Sequence, residues 1–140
     1  MTLTHATCVA IDGVGVLLRG PPGSGKSDLA LRLIDGGARL VADDQTRLER
    51  DGARILASAP PQIAGRIEVR GVGILEAPSV AEAPLGLVVD LVAAEAVERL
   101  PEHAECHYLD RPLPLLRLAP FEASAAAKLR LAVRALGAPS

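Results

Sequence analysis

Gly20-Pro21-Pro22-Gly23-Ser24-Gly25-Lys26-Ser27 is the stretch from which the rest of this chain is read. It has the form G-x-x-x-x-G-K-S, the phosphate-binding P-loop. Its glycines let the backbone turn tightly and aim N–H groups at an anion. Lys26 reaches the terminal phosphates, the Ser27 hydroxyl can ligate Mg²⁺, and the start of the following helix adds a fixed partial positive charge. An apolar run, Val14-Gly15-Val16-Leu17-Leu18, precedes it, and an amphipathic run from Asp28 follows. That is the strand–loop–helix setting the motif requires. A plain Gly/Pro turn would not need Lys-Ser at this offset, so the stretch is read as a nucleoside-triphosphate cradle.

Working outward, residues 5–12 alternate as a strand with Val9 and Ile11 inward, and Gly13 turns them into 14–18 as a hairpin. A helix is expected from Lys26 to Asp35, with Leu29, Ala30, Leu33 and Ile34 on one face and Gly36-Gly37 as its left-handed stop. Ala38 to Ala42 reads as a short strand ending in Asp43-Asp44. Thr46–Arg50 and Ala53–Ala57 flank Asp51-Gly52, which favours a type I′ turn. Pro60-Pro61 breaks the chain. Ile67 to Leu75 reads as a strand with a glycine-rich bend, and Leu87 to Val92 as a buried strand. A short helix is expected over Ala93–Leu100, and edge-strand or loop pieces over 106–118, where Pro112 and Pro114 intervene. The last expected helix runs from Phe121 to Leu136, with Leu129, Ala132, Val133 and Leu136 as its stripe and Gly137 past its end. Strands alternating with helices and hairpins give an α/β sheet.

With 140 residues, 49% hydrophobic, the chain suits one domain with one core, residues 1–140. Only 1% of residues are aromatic and the net charge is −2, with acids and bases mixed. No stacking platform or basic patch for nucleic acid is visible. Cys8 and Cys106 form no C-x-x-C pair, which suits a reducing, cytoplasmic setting. Neither a leader peptide nor a membrane span is expected.

Phosphoryl transfer needs a carboxylate beside the phosphate cradle. Asp43-Asp44 ends one strand and Asp90 ends another, the latter in an ordinary Walker B setting; ligands of open α/β sheets bind at such strand ends. Adjacent aspartates point to opposite faces within a strand and can serve together only at its end. One could approach Mg²⁺ while the other accepts a proton. The plainer reading is an exposed acidic turn. Glu68 and Arg70, two apart, share a face: either a surface ion pair or a carboxylate and a cation brought to a phosphate. His5 is read as an ordinary strand-end histidine, the cysteines as small buried residues, and His103 and His107 beside Cys106 as a weak metal set.

Taken together, three motifs resemble the catalytic domain of bacterial HPr kinase/phosphorylase. They are His5 with Gly13–Leu18 leading into Gly20–Ser27, Arg39-Leu40-Val41-Ala42-Asp43-Asp44, and Glu68-Val69-Arg70-Gly71-Val72-Gly73-Ile74, which is similar to the signature E-[IV]-R-G-[LV]-G-I. The resemblance covers about half of the chain, from His5 to Leu75. It implies a P-loop kinase-like sheet with flanking helices and an antiparallel hairpin, and an ATP- and Mg²⁺-dependent kinase. The substrate would be a serine of the phosphocarrier HPr or a relative, in regulation of the phosphotransferase system. Many members also run the reverse phosphorolysis.

On this resemblance Asp43 is the base, with His5 near its carboxylate. Ser27, Asp44 and Glu68 surround the metal, and Arg70 and Lys26 meet the phosphates. Ala6 stands where the family usually has Gly. No separate N-terminal domain is expected, and Leu113–Leu136 replaces the family's basic, glycine-containing loop and final helix, as in the short alphaproteobacterial form. A homo-oligomer is compatible with the resemblance. From a different class, a catalytically silent ATP-binding sensor fits the same cradle. A small-metabolite kinase fits less well, since the Arg-rich lid of such enzymes has no counterpart.

Overall fold

A computed structural model describes residues 1–136; the expected cap at Gly137 lies outside them. The strands are β1 (Thr2–Thr4), β2 (Thr7–Ile11), β3 (Val14–Arg19), β4 (Arg39–Ala42), β5 (Thr46–Asp51), β6 (Arg54–Ser58), β7 (Arg66–Val69), β8 (Gly73–Glu76), β9 (Glu82–Leu91), β10 (Ala104–Tyr108) and β11 (Arg111–Leu118). The helices are α1 (Lys26–Asp35) and α2 (Ala125–Leu136). The architecture is α/β.

The strand that leads into the P-loop sits in the middle of the sheet, whose path is β1-β5-β6-β9-β3-β2-β4. β2 and β3 form the expected hairpin, turning at Asp12 and Gly13 with φ of 50° and 81°. Both are positive, the signature of a type I′ turn. On its other edge β3 pairs in parallel with β9. β11 also runs parallel to β9; Leu17 and Leu115 both pair with Val88, so β3 and β11 occupy opposite edges of β9. The P-loop therefore emerges from a strand held on both sides, and its root is rigid.

Alternation along the strands builds two apolar layers. Val9, Val16, Leu18, Leu87 and Val89 face α1 and α2, meeting Leu29, Leu33, Leu129 and Val133. Cys8, Leu17 and Val88 face the other way, and the sheet curls so that Leu48, Ile55 and Ala57 of the β5–β6 arm pack on them. Gly86 shifts the phase of β9: Leu85 faces one layer and Leu87 the other, while their partners Gly15 and Val16 are consecutive. The extra residue is a bulge. A Cβ on Gly86 would stand 2.6 Å from a methyl group of Val14, so a side chain there would force Val14 to shift.

α1 spans the expected residues and buries the expected face. Its end is a Schellman motif: Ala38 N–H donates to Leu33 O at 3.0 Å and Gly37 N–H to Ile34 O at 2.9 Å, with Gly37 at φ 109°.

Several expectations are corrected. The strand expected over 5–12 is β2, Thr7–Ile11, and His5 lies in the bend after β1. The β5–β6 turn centres on Gly52-Ala53, because Asp51 pairs with Arg54. Only Gly52 has positive φ there, which excludes type I′. Residues 67–75 form a two-stranded sheet of their own, β7–β8, bent at Arg70–Val72. Arg70 is thus in the turn and not on a strand beside Glu68. The buried strand is longer than expected, Glu82–Leu91.

Ala93–Leu100 holds only a 3₁₀ turn at Ala94–Ala96. None of its residues is buried, and a short helix without a packed face is marginal. Residues 104–118 are a hairpin whose second strand is internal. Pro112 and Pro114 are two apart and withdraw donors from one edge, and the pairing with β9 starts past both, at Leu115. α2 starts at Ala125, and Leu136 of its expected stripe is 45% exposed.

Candidate active site

The loop and α1 start as one unit. Gly23 and Gly25 take positive φ, 81° and 99°, conformations that strain residues with a Cβ. Ser24 N–H closes a turn on Pro21 O at 3.0 Å, and Leu29 N–H opens the helix on Gly25 O at 2.9 Å. The Ser24 hydroxyl is buried beneath the loop, against Gly20, with no partner among the described residues. Lys26 folds back over the loop, donating to Gly20 O at 2.6 Å and Pro21 O at 3.4 Å. Phosphate oxygens would bind an ammonium more strongly than these two neutral carbonyls do.

Opposite the loop, β4 ends at Ala42 and releases the two aspartates. Asp43 turns inward and is 8% exposed; Asp44 adopts φ 67° and is exposed. This is the strand-end arrangement that lets both side chains serve one cleft. Asp43 is held from three segments. Ser27 Oγ donates to Oδ1 at 2.7 Å, Thr7 Oγ1 to the same oxygen at 3.2 Å, and Glu68 N–H to Oδ2 at 3.0 Å. Thr7 Oγ1 also accepts the Asp44 N–H at 3.1 Å, so one buried hydroxyl orients both aspartates.

A cleft of about 610 Å³ joins these parts, lined by Pro22 to Asp28, Leu31, Asp43, Asp44, Glu68, Val69, Arg70 and Phe121. It brings together Lys26, Ser27, Asp43, Asp44, Glu68 and Arg70. Glu68 and Arg70 are exposed on the β7–β8 hairpin, which forms one wall. His5 does not line the cleft; it stands exposed, two residues before Thr7. Among the described residues no three His, Cys, Asp or Glu side chains converge as a metal site. The expected set of Ser27, Asp44 and Glu68 thus lines one cleft without forming a closed cage.

Asp90 is committed elsewhere. Its carboxylate takes Arg19 Nε at 2.7 Å and Nη2 at 2.9 Å, and Arg19 also donates to Tyr108 OH at 3.1 Å. This bidentate bond holds the Arg19 proton far above the usual range, against the opposing effect of burial. Asp90 lines a separate hollow with Arg19, Gly20, Pro21 and Arg117. His103 and His107 share no helix: His107 lies on β10 next to Cys106, and neighbours on a strand face opposite ways. Burial raises both thiols, Cys8 most.

Two residues of the site escaped the motifs. Thr7 meets Asp43 across 36 positions, for which the chain carries no local signal. Phe121 had one signal: it is the only Phe of the chain.

The sequence profile described as "HPr Serine kinase C-terminal domain" matches residues 1–109. The chain belongs to this family. Among HPr kinase family relatives, the HPr kinase/phosphorylase of Exiguobacterium sp. is 36% identical over 130 residues, covering 84% of this chain and 42% of its own length. That of Caldanaerobacter subterraneus is 40% identical over 108 residues, 76% of this chain and 35% of its own. The chain thus spans less than half the length of these relatives. The structure of the Hpr(Ser) kinase/phosphatase from Coxiella burnetii superposes with a TM-score of 0.86 at 28% identity, covering 96% of this chain and 95% of that one. The HPr kinase likeness in fold therefore runs past residue 109, into the segment that holds Phe121 and α2. Among the described residues no helix is long and apolar enough to cross a membrane.

Proposed function

We propose that residues 1–140 act as one catalytic domain that transfers the γ-phosphoryl of ATP to a serine of HPr or a related phosphocarrier, as cytoplasmic regulation of the phosphotransferase system. The observation that carries this reading is the buried Asp43 carboxylate, held by Ser27 of the P-loop within the cleft that also holds Lys26. The names of the relatives support the same chemistry. The serine oxygen forms a bond to the γ-phosphorus as the bond to the ADP oxygen breaks, and the serine proton passes to Asp43. Three donors fix that carboxylate, so it is aimed before the carrier arrives. Lys26 and Arg70 offset charge on the transferring group.

Magnesium fits the donor set. It takes oxygen ligands, retains waters, and binds through one or two carboxylates plus substrate phosphates. Ser27, Asp44 and Glu68 offer only oxygens to the cleft, an open donor set that suits such a phosphate-completed ion. Bound there with ATP, it would neutralise phosphate charge. A partner is expected at the open mouth of the cleft, beside the exposed hairpin; neither nucleic acid nor membrane is proposed as one, and a homo-oligomer is compatible with this reading.

The test is Asp43→Asn, with transfer of label from ATP to the carrier serine and ATP binding measured together. Transfer should fall about 10²–10⁴-fold with binding retained, the usual contribution of a general base. An unchanged transfer rate would remove Asp43 from the chemistry. A wild-type protein that binds ATP and labels no carrier would instead be an ATP sensor.

A further inference from the structure

The cleft is lined by two kinds of side chain: the charged Lys26, Asp43, Asp44, Glu68 and Arg70, and the apolar Leu31, Val69 and Phe121. Phe121 is 72% exposed although it is the only Phe in the chain, and Leu31 is 38% exposed. Exposing a large ring costs hydrophobic free energy unless something covers it.

The ring is held in place. It rests on Gly25, where a Cβ would stand only 2.9 Å from it, so the glycine of the P-loop makes room for the phenyl group as well as for the turn. The loop that carries it is tied to α1 by one side chain. Arg32 donates to the carbonyls of Pro120 and Glu122, which flank Phe121, and is itself held by Asp28 at 3.1 Å. Arg130 of α2 returns the contact, donating to Arg32 O and Leu33 O at 3.3 and 3.4 Å. The ring is thus anchored from behind and open in front, on the loop that receives phosphate.

We propose that Phe121, backed by Leu31, is the platform on which the nucleobase of the bound nucleotide packs. This rests on the reading of the cleft as a nucleoside-triphosphate site. A nucleotide combines the same two characters, charge on its phosphates and a flat apolar face on its base. The ring is seated on the P-loop itself, the loop expected to receive the phosphates. Base–aromatic packing contributes on the order of tenfold in affinity per base, whichever base is bound.

The experiment compares Mg-ATP with Mg-tripolyphosphate, which lacks the base, by calorimetry on the full chain. Phe121→Ala should weaken ATP about tenfold and leave tripolyphosphate within twofold. Phe121→Trp should restore ATP affinity, and ATP but not tripolyphosphate should quench its fluorescence. Equal loss for both ligands, or no loss for ATP, would overturn the proposal. So would an unchanged ATP affinity with a raised KM for the carrier, which would assign the ring to the protein partner. If the wild-type protein binds neither ligand, the nucleotide reading falls as well. If it binds both without phosphorylating a carrier, only the kinase reading falls and the platform stands.

Discussion

Replacing Thr7 with valine keeps the shape of a fully buried side chain and removes one oxygen. That oxygen makes two bonds, to Asp43 Oδ1 at 3.2 Å and from Asp44 N at 3.1 Å. A bond to a charged group contributes about 1.5–3 kcal/mol, and an orphaned N–H costs about 1–3 kcal/mol more. Asp44 is exposed, so water recovers much of the second amount. The net loss should be about 2–3 kcal/mol, against a total of about 5–15 kcal/mol for a domain. The variant therefore folds, and its urea midpoint should drop by about 1–2 M with the slope unchanged. Asp43 keeps its bonds from Ser27 and Glu68, so it stays in the cleft but is less well aimed. A tenfold fall in kcat/KM for carrier phosphorylation corresponds to about 1.4 kcal/mol and is the expected size. Thr7→Ser should retain activity and lose only about 1 kcal/mol of stability for its methyl group. A valine variant within about 0.5 kcal/mol of wild type, with wild-type kcat/KM, would refute the idea that Thr7 orients the paired aspartates.

Asp90→Ala should cost about 1–3 kcal/mol in urea titration by leaving the half-buried Arg19 without its carboxylate, yet change carrier phosphorylation less than tenfold, since Asp90 is outside the cleft. Gly25→Ala meets both a positive φ of 99° and the Phe121 ring, so calorimetry should read at least a tenfold loss of ATP affinity, with about 1–2 kcal/mol of strain in the fold. Burial pushes the Cys8 thiol up to about 12 from 9.0. The unfolded chain sheds that proton above pH 9 and the folded chain does not, so this contribution is complete below pH 9 and stability falls as pH rises toward 12. At pH 9, iodoacetamide should label Cys8 in urea and spare it in the native protein, as read by peptide mass spectrometry; equal labelling in both would contradict the burial.

What was legible in the sequence was local. The P-loop, α1 with its glycine stop, and the hairpin turn at Gly13 each announce themselves within a few residues, and the structure has them, with Asp12 joining Gly13 in the turn. Asp43-Asp44 could be placed at a strand end, but choosing between them and Asp90 took the resemblance; their geometry depends on Thr7 and Glu68, which arrive from other strands. The errors share a cause. Ala93–Leu100 has helical composition but no face to bury, so propensity alone did not decide it. The prolines of β11 hid an internal strand because a proline's harm depends on which edge it faces, and that edge is set by β9. β1 is a three-residue, half-buried strip that owes its strand to β5. Phe121 becomes meaningful only when α2 brings its loop onto Gly25.

The parallel pairing of β3 with β9 also has a consequence in time. Val16 meets Leu87, and in between lie the P-loop, α1, both aspartates and the β7–β8 hairpin. A nascent chain on the ribosome exposes every motif of the nucleotide site before the strand that braces its root has been made. Such long-range closure is slow compared with helix or hairpin formation. The phosphate loop is thus made before β9, the strand that braces it, and no nascent chain stopped short of β9 has a finished cradle to offer a nucleotide.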